Sequence, residues 1–324
     1  MNPQMTSTDP NDLSPTSLFG SLPIARYRMA IHLSKPVPGH MGSAWRGLIG
    51  WSLQRLICPF ARKPECKPCI VRKHCPYFRL FEDQSPVSGI LEMPRGYILS
   101  PTDSGQSCTH DLEITLIGDC IRSFPAVAQA LHAGKSTGLG PSRIPYQIAG
   151  MSGVSPDGTL TRLSVADGDG IGMGAAASLS DWLAASPVIT GNMDVSFLTP
   201  FRLKKQGRYL GQMDWSHYFA TLVRRLEALN CLFFDGASIG KERYQKLIQQ
   251  FSEVSAIRQD LSWLDYNRYS NRQHKKIPMG GLVGTARIGQ AHAWLVPWLQ
   301  AAELIHVGKG ASMGLGKVVV GSSE

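Results

Sequence analysis

The chain has 324 residues, 43% of them hydrophobic, and a formal net charge of +9. This length and hydrophobic content allow two domains with cores of ordinary size, and the basic excess favours a nucleic acid as partner. No run of 18 apolar residues occurs, which excludes a membrane-spanning helix.

The N-terminal residues 1–20 are rich in Ser, Thr, Pro, Asp and Asn, and they lack the apolar core of a signal peptide. We therefore expect a disordered leader over these residues and a cytoplasmic protein. In that compartment the seven cysteines are expected to be reduced or bound to metal rather than paired in disulfides.

Residues 24–34 alternate between apolar and mainly basic side chains. This period predicts a strand with one buried face and one basic face, and Arg26 and Arg28 belong to the basic face. A turn that contains His40 follows. Residues 43–57 then place apolar side chains at helical spacing, which predicts an amphipathic helix with an arginine near its start.

Four cysteines follow within eighteen residues: Cys58, Cys66, Cys69 and Cys75. Four thiolates this close in sequence can complete a tetrahedral zinc site, and the C-x2-C pair is a common half of such a site. Nearby lysines and arginines favour the thiolate form. The sequence therefore predicts a structural zinc site in this cysteine quartet. An iron–sulfur site fits the spacing less well, and four reduced thiols in a surface loop are the alternative.

Each half of the chain shows the same predicted order of elements: strand, helix, strands, helix, strand. This is the split βαβ pattern of ferredoxin-like domains. Between the halves, residues 150–177 are rich in Gly, Ser, Ala and Asp, which indicates an inserted hairpin and a linker. Strand patterns occur at residues 111–117, 193–205 and 282–288, and helical patterns at 123–132, 212–229 and 241–257.

The predicted fold class is therefore α+β, with two tandem ferredoxin-like domains. We assign residues 21–185 to the first domain, with a Cys-rich insertion at 58–82 and a Gly/Ser/Ala-rich insertion or linker at 150–180. Residues 186–324 form the second domain, which ends in a glycine-rich loop.

Residues 266–276 place four cations among two tyrosines, two asparagines and a histidine. Cations neutralise phosphates, tyrosines stack on bases and amides read base edges, so this segment predicts contact with RNA. No groove-reading DNA motif accompanies it, and a solvated charged loop is the alternative. The cations are Arg268, Arg272, Lys275 and Lys276.

A glycine-rich loop at residues 306–317 precedes a short terminal strand. Glycine lets the backbone lie close to a ligand with its N–H groups turned to an anion. The helix and the acidic residue that complete a dinucleotide-binding fingerprint are missing, which disfavours a nucleotide-dependent enzyme, and a plain hairpin is the alternative. The loop residues expected to grip a phosphate chain are Gly308, Lys309, Gly310, Gly314, Gly316 and Lys317.

Four further segments accompany this loop: residues 43–47 (SAWRG), 66–82 with the last three cysteines and LFE, 197–203 (FLTPFRL) and 268–284 (RYSNRQ to GGLVG). Together with the loop, they resemble the RAMP superfamily of CRISPR-associated proteins. More narrowly, they resemble the endoribonuclease that cuts precursor CRISPR RNA within its repeats. The resemblance runs from about residue 24 to the end, and the divergent spacer suggests an unusual subtype such as type IV.

The resemblance implies an RNA groove between two ferredoxin-like domains and cleavage without a metal. A ribose 2′-hydroxyl attacks the neighbouring phosphate, leaving a 5′-hydroxyl and a 2′,3′-cyclic phosphate. The enzyme then keeps the stem-loop of the mature guide RNA and joins other subunits of a CRISPR effector complex. A non-catalytic RNA-binding subunit of the same fold is the alternative.

By the same resemblance, His40 occupies the neighbourhood of the family's catalytic histidine, and a neutral imidazole suits proton transfer near pH 7. Arg26, Arg46 and Arg243 are the cations expected to stabilise the charged phosphorane. Arg28, the basic segment at 266–276 and the glycine-rich loop are expected to hold the RNA backbone.

Overall fold

Two antiparallel sheets, each covered by helices, organise the chain in the computed structural model. The structure describes residues 12–37, 39–60, 65–83, 93–102, 105–163, 176–270 and 275–323.

The first sheet has the strand order β2-β3-β1-β4-β5, with β6 paired to β1. Its core reads β1, α2, β2, β3, α3, β4, which is the split βαβ arrangement. The elements of this half are α1 (Pro15–Phe19), β1 (Pro23–Leu33), α2 (Gly42–Ile57), β2 (Tyr97–Pro101), β3 (Thr109–Ile117), α3 (Phe124–Gly134), β4 (Tyr146–Val154), β5 (Leu160–Arg162), β6 (Ala177–Ser178) and α4 (Leu179–Ala184).

The second sheet has the order β10-β13-β7-β14, the same arrangement of first, second, third and fourth core strands. The pairs β8–β9 and β11–β12 form separate hairpins. The elements are β7 (Met193–Phe201), β8 (Lys204–Lys205), β9 (Arg208–Tyr209), α5 (Trp215–Phe233), α6 (Gly240–Ser252), β10 (Ala256–Leu264), β11 (Asn267–Ser270), β12 (Lys275–Pro278), β13 (Gly281–Ile288), α7 (Val296–Ile305) and β14 (Val318–Ser322). The predicted α+β class with two ferredoxin-like units is confirmed.

The alternation along β1 sets how the first sheet packs. Tyr27 and Met29 are fully buried, whereas Arg26 and Arg28 lie on the opposite, partly exposed face. The Tyr27 ring stacks on Phe124 of α3, with ring centroids 3.5 Å apart. Burying an aromatic side chain of this kind stabilises a fold by about 1.5–3 kcal/mol, so the strand pattern fixes which face carries the helices.

The expected disordered leader does not extend to residue 20. Residues Pro15–Phe19 form α1, and the Ser14 side chain accepts a hydrogen bond from the Ser17 backbone N–H. Phe19 is buried where α1 packs against α4 and α7. An apolar side chain that finds a core site therefore orders this end of the leader, while residues 1–11 lie outside the described residues.

The hairpin expected in the spacer is present as β4–β5, and residues 164–175 of that segment lie outside the described residues. The alternative for the basic segment at 266–276 was a charged loop. In the structure this segment holds β11 and the start of β12, which pair as a hairpin. Across the described parts of the chain, no helix has the length and apolar content needed to span a bilayer.

Candidate nucleic-acid interface

A cleft of about 830 Å³ opens between the two halves of the molecule. Arg46 of α2 lines one side, and α5 and α6 line another, with Lys241 among their cations. Among the described lining residues Glu227 is the sole acid, and its Oε1 already accepts hydrogen bonds from the Ser238 hydroxyl and the Ile239 N–H, at 2.5 and 3.0 Å. The cleft is therefore strongly cationic, which suits a polyanion.

His40 is held between the two halves beside this cleft. Its Nε2 lies 2.5 Å from the carbonyl oxygen of Met313, a cleft residue, and its own carbonyl accepts a hydrogen bond from the Tyr266 hydroxyl at 2.7 Å. Gly42 makes the approach possible, because a Cβ there would lie 1.9 Å from the Met313 oxygen. The glycine-rich loop and the start of α2 therefore meet at the histidine that the sequence selected.

Arg46 and Arg268 bring two positive charges to the same region. Arg46 Nε donates to the Tyr97 hydroxyl at 3.0 Å, and Arg268 Nη1 donates to the Ser43 hydroxyl at 3.0 Å. Within the described residues neither guanidinium forms an ion pair with a carboxylate. Burial first, and then the charge of Arg46, lowers the pKa of Arg268. An anion placed here would relieve the repulsion between the two cations.

The glycine-rich loop lies along the cleft and is shaped by close backbone contacts. Lys309 N donates to the Arg202 carbonyl at 2.9 Å, and Lys309 lines the cleft. At Gly308 the backbone has φ of +91°, and a Cβ would lie 2.5 Å from that same carbonyl, so a larger residue cannot be accommodated. Positive φ is shared by the loop glycines Gly308, Gly310, Gly314 and Gly316.

Arg26, Arg28 and Lys317 lie elsewhere, around a carboxylate, and are not among the described cleft residues. Their charged nitrogens approach Glu113 of β3 to 3.5, 3.8 and 3.3 Å respectively. Burial alone would raise the pKa of the Glu113 carboxyl, but Lys317, Arg26 and Arg28 hold it below its usual value. These three cations therefore have a carboxylate partner within the protein, and their expected contact with RNA stays a prediction. The first strand and the tail do converge, but on Glu113.

The remaining predicted cations are only partly placed. Arg243 is exposed on α6 and does not line the cleft, whereas Lys241 and Tyr244 of the same helix do. Arg272 lies outside the described residues. Lys275 and Lys276 are placed by their backbone alone, in β12.

Sequence reasoning did not select several cleft cations, notably Arg202 and Arg224. Arg224 lies off the apolar face of α5, a position that solvated charges share, so the pattern carries no signal for a site. Arg202 follows directly after β7 within the FLTPFRL segment. That segment contributed to the family resemblance, but its arginine has no spacing signature of its own.

The cysteine quartet lines a separate cavity of about 170 Å³, with all four thiols partly exposed and none in a disulfide. Burial, then Glu82 and the other three cysteines, raises the pKa of the Cys66 thiol. The four residues thus share one cavity. In the part of the chain that the structure describes, however, no three His, Cys, Asp or Glu side chains are arranged to hold a metal ion.

Comparison with known proteins gives one family-model match in each half of the chain. Residues 195–318 match the family model of the CRISPR-associated endoribonuclease Cas6, and residues 22–172 match a model described as an N-terminal domain. No curated protein sequence matches the chain. The resemblance to CRISPR-associated RAMP endoribonucleases is therefore confirmed, and type IV membership stays a prediction.

Solved structures with the same fold cover nearly the whole chain. Thermus thermophilus Cas6 (TTHB231) is 17% identical with a TM-score of 0.54, over 92% of this chain and 98% of that one. The product complex of Cas6 (TTHB231) has a TM-score of 0.57 at 17% identity, over 92% and 99% of the two chains. A partial Cas6-RT-Cas1–Cas2 complex has a TM-score of 0.53 at 11% identity, over 95% of this chain and 47% of that one.

Proposed function

We propose that this protein, whose residues 195–318 match the Cas6 endoribonuclease family, cuts precursor CRISPR RNA within its repeats and keeps the mature guide RNA. One observation carries the proposal: His40 lies beside a cationic cleft in which Arg46 and Arg268 have no carboxylate partner among the described residues. A histidine and two uncompensated cations are the groups that cleavage by a ribose 2′-hydroxyl needs.

In the proposed reaction the 2′-oxygen attacks the adjacent phosphorus, and the bond from phosphorus to the 5′-oxygen breaks. The 2′-hydroxyl proton leaves to a base and the departing 5′-oxygen receives a proton, which leaves a 2′,3′-cyclic phosphate and a 5′-hydroxyl. The His40 imidazole acts in these proton transfers, as the base that accepts the 2′-hydroxyl proton or as the acid that protonates the 5′-oxygen. Arg46 and Arg268 stabilise the charge that develops on the phosphorane. Because these side chains supply both effects, we propose that the reaction needs no metal ion.

A labelled repeat RNA incubated with the protein in EDTA tests this function. We expect one cut, a cyclic-phosphate end and a product that stays bound in a gel shift. An RNA with a 2′-deoxyribose at the cut site is the control, and it should bind without being cut. Tight binding of the unmodified RNA with no cut would identify a non-catalytic subunit instead, and a cut that needs Mg²⁺ would contradict the metal-independent mechanism.

The proposed partners follow from the same comparison. Solved neighbours include the product complex of Cas6 (TTHB231) and a Cas6-RT-Cas1–Cas2 complex. For this chain we propose a CRISPR repeat stem-loop as ligand and other CRISPR effector subunits as protein partners.

We also propose that the cysteine quartet binds a structural zinc ion. The support is the cavity that the four cysteines share and the electrostatic effect of the other three on the Cys66 thiol, because a divalent cation would offset the repulsion between their thiolates.

Elemental analysis of the purified protein is expected to find about one zinc per chain. The double variant Cys66→Ser, Cys69→Ser should lose the metal and melt at a lower temperature. The matched control is Cys231→Ser, on α5 and outside the quartet, which should keep the metal. Wild-type protein purified without chelator and free of zinc would refute the site.

A further inference from the structure

Arg202 is a buried arginine that the proposed chemistry does not use. Its residue surface is 5% exposed, yet it lines the cleft. Its Cζ lies 4.2 Å from the centroid of the Tyr209 ring, and Nη1 contacts the Met279 sulfur at 3.2 Å. Its Nε has no hydrogen-bond partner, and no carboxylate pairs with it among the described residues.

This arrangement is costly in the free protein. A buried charge is normally compensated by an opposite charge and a full set of hydrogen bonds. Around Arg202 the described neighbours are instead an aromatic ring and a thioether, and burial lowers its pKa. Lys204 adds a second positive charge nearby: its Nζ lies 5.0 Å from the centroid of the same Tyr209 ring, and it also lines the cleft.

The glycine-rich loop is built directly onto this arginine. The Arg202 carbonyl accepts the Lys309 N–H, and it also excludes any side chain at Gly308. The backbone of Lys309 is therefore fixed to that of Arg202, and both residues line the cleft. The hydrogen bonds that position His40 are made with other residues, Met313 and Tyr266.

We infer that Arg202 and Lys309 form an anion subsite that binds an RNA backbone phosphate other than the one being cut. The cleft, at about 830 Å³, has the volume of roughly 28 water molecules at about 30 Å³ each, so it has room for more than one phosphate group. A phosphate provides the negative charge and the acceptors that the Arg202 guanidinium lacks. The choice of RNA as ligand rests on the proposed function, whereas anion binding itself can be tested without any cleavage.

The first test uses inorganic phosphate and thermal melting of the full chain. Phosphate should raise the Tm of the wild type, because a ligand that binds the folded state stabilises it. Arg202→Met keeps a stem of similar length on the Tyr209 ring and removes the charge. We expect this variant to lose most of the phosphate-induced shift, while its Tm without phosphate equals or exceeds that of the wild type. Arg202→Lys should recover part of the shift.

The second test measures affinity for a repeat RNA that is 2′-deoxy at the cut site. Arg202→Met should weaken binding about tenfold, as loss of one charge-assisted contact does. It should also flatten the slope of log K against log salt by about 0.7–0.9. The matched control is Arg258→Met, because Arg258 is exposed on β10 and outside the cleft lining.

The two tests separate the subsite from the function. A phosphate-induced shift in Arg202→Met equal to that of the wild type would overturn the subsite, whether or not the protein cuts RNA. A lost shift with wild-type RNA affinity would overturn the assignment of the anion to RNA. Failure of the EDTA cleavage assay alone would leave the subsite standing and remove only the enzymatic proposal.

Discussion

His40→Ala is expected to lower the single-turnover rate of repeat RNA cleavage by about 10²–10⁴-fold, the usual contribution of a general acid or base. The RNA affinity should stay close to that of the wild type, because the cationic cleft is unchanged. The imidazole joins the start of α2 to the glycine-rich loop through its contact with the Met313 carbonyl. The rate is measured with protein in excess over a labelled repeat RNA, so that product release does not enter.

His32→Ala is the matched control for this experiment. His32 is an exposed histidine of β1, and the cleft lining does not include it. Its loss should leave both rate and affinity unchanged. A His40→Ala variant that cuts within a factor of three of the wild type would assign the chemistry to Arg46 and Arg268 alone. A variant that loses RNA affinity to the same extent as rate would make His40 a structural contact of the loop.

The parts of the fold that were predictable from sequence are those whose burial is one-sided. β1 alternates and α2 is amphipathic, because each has one face on the core and one towards solvent. β10 was missed because it is an edge strand with almost every residue exposed or half-exposed, so no alternation marks it. α7 was missed for the opposite reason, since it is buried nearly all round and shows no polar face.

The parts of the candidate site that were predictable are likewise those marked by local residue types, whereas contacts between distant segments were not predictable. His40 and the glycine-rich loop were selected from local residue types, and the structure joins them through one hydrogen bond. The ion-pair partners of Arg26 and Arg28 in β1 depend on which strand pairs with β1 and in which register. Arg28 lies directly opposite Glu113 in the β1–β3 register, and Lys317 reaches the same carboxylate from the end of the chain. Neither relation has a signature in the spacing of the residues, so the sequence could not show that these predicted RNA-binding cations share a carboxylate.

Glu113→Gln is expected to destabilise the protein by about 1–3 kcal/mol at pH 7. Removing one partner of a largely buried ion pair leaves the other charges uncompensated, and the partial exposure of these arginines reduces that cost. Arg26, Arg28 and Lys317 would then lose the carboxylate that all three approach, and their mutual repulsion would increase. The cluster links β1 to the C-terminal end of the glycine-rich loop, so its loss should make the position of that loop in the cleft less fixed. We therefore expect cleavage to slow together with the loss of stability.

The pH dependence of this loss identifies the charge as its cause. The Glu113 pKa is lower in the folded state than in the unfolded chain, so its contribution is complete above the unfolded value of about 4.3 and declines as pH falls through the folded value. Thermal melts between pH 7 and pH 3 should therefore show the Tm values of the wild type and Glu113→Gln converging in acid.

Asp111→Asn is the matched control: Asp111 pairs with Arg28 at 3.7 Å but is 38% exposed, so its loss should cost less than about 1 kcal/mol. An equal loss in both variants, or a Glu113→Gln loss independent of pH, would show that the carboxylate does not hold the tail to the first strand.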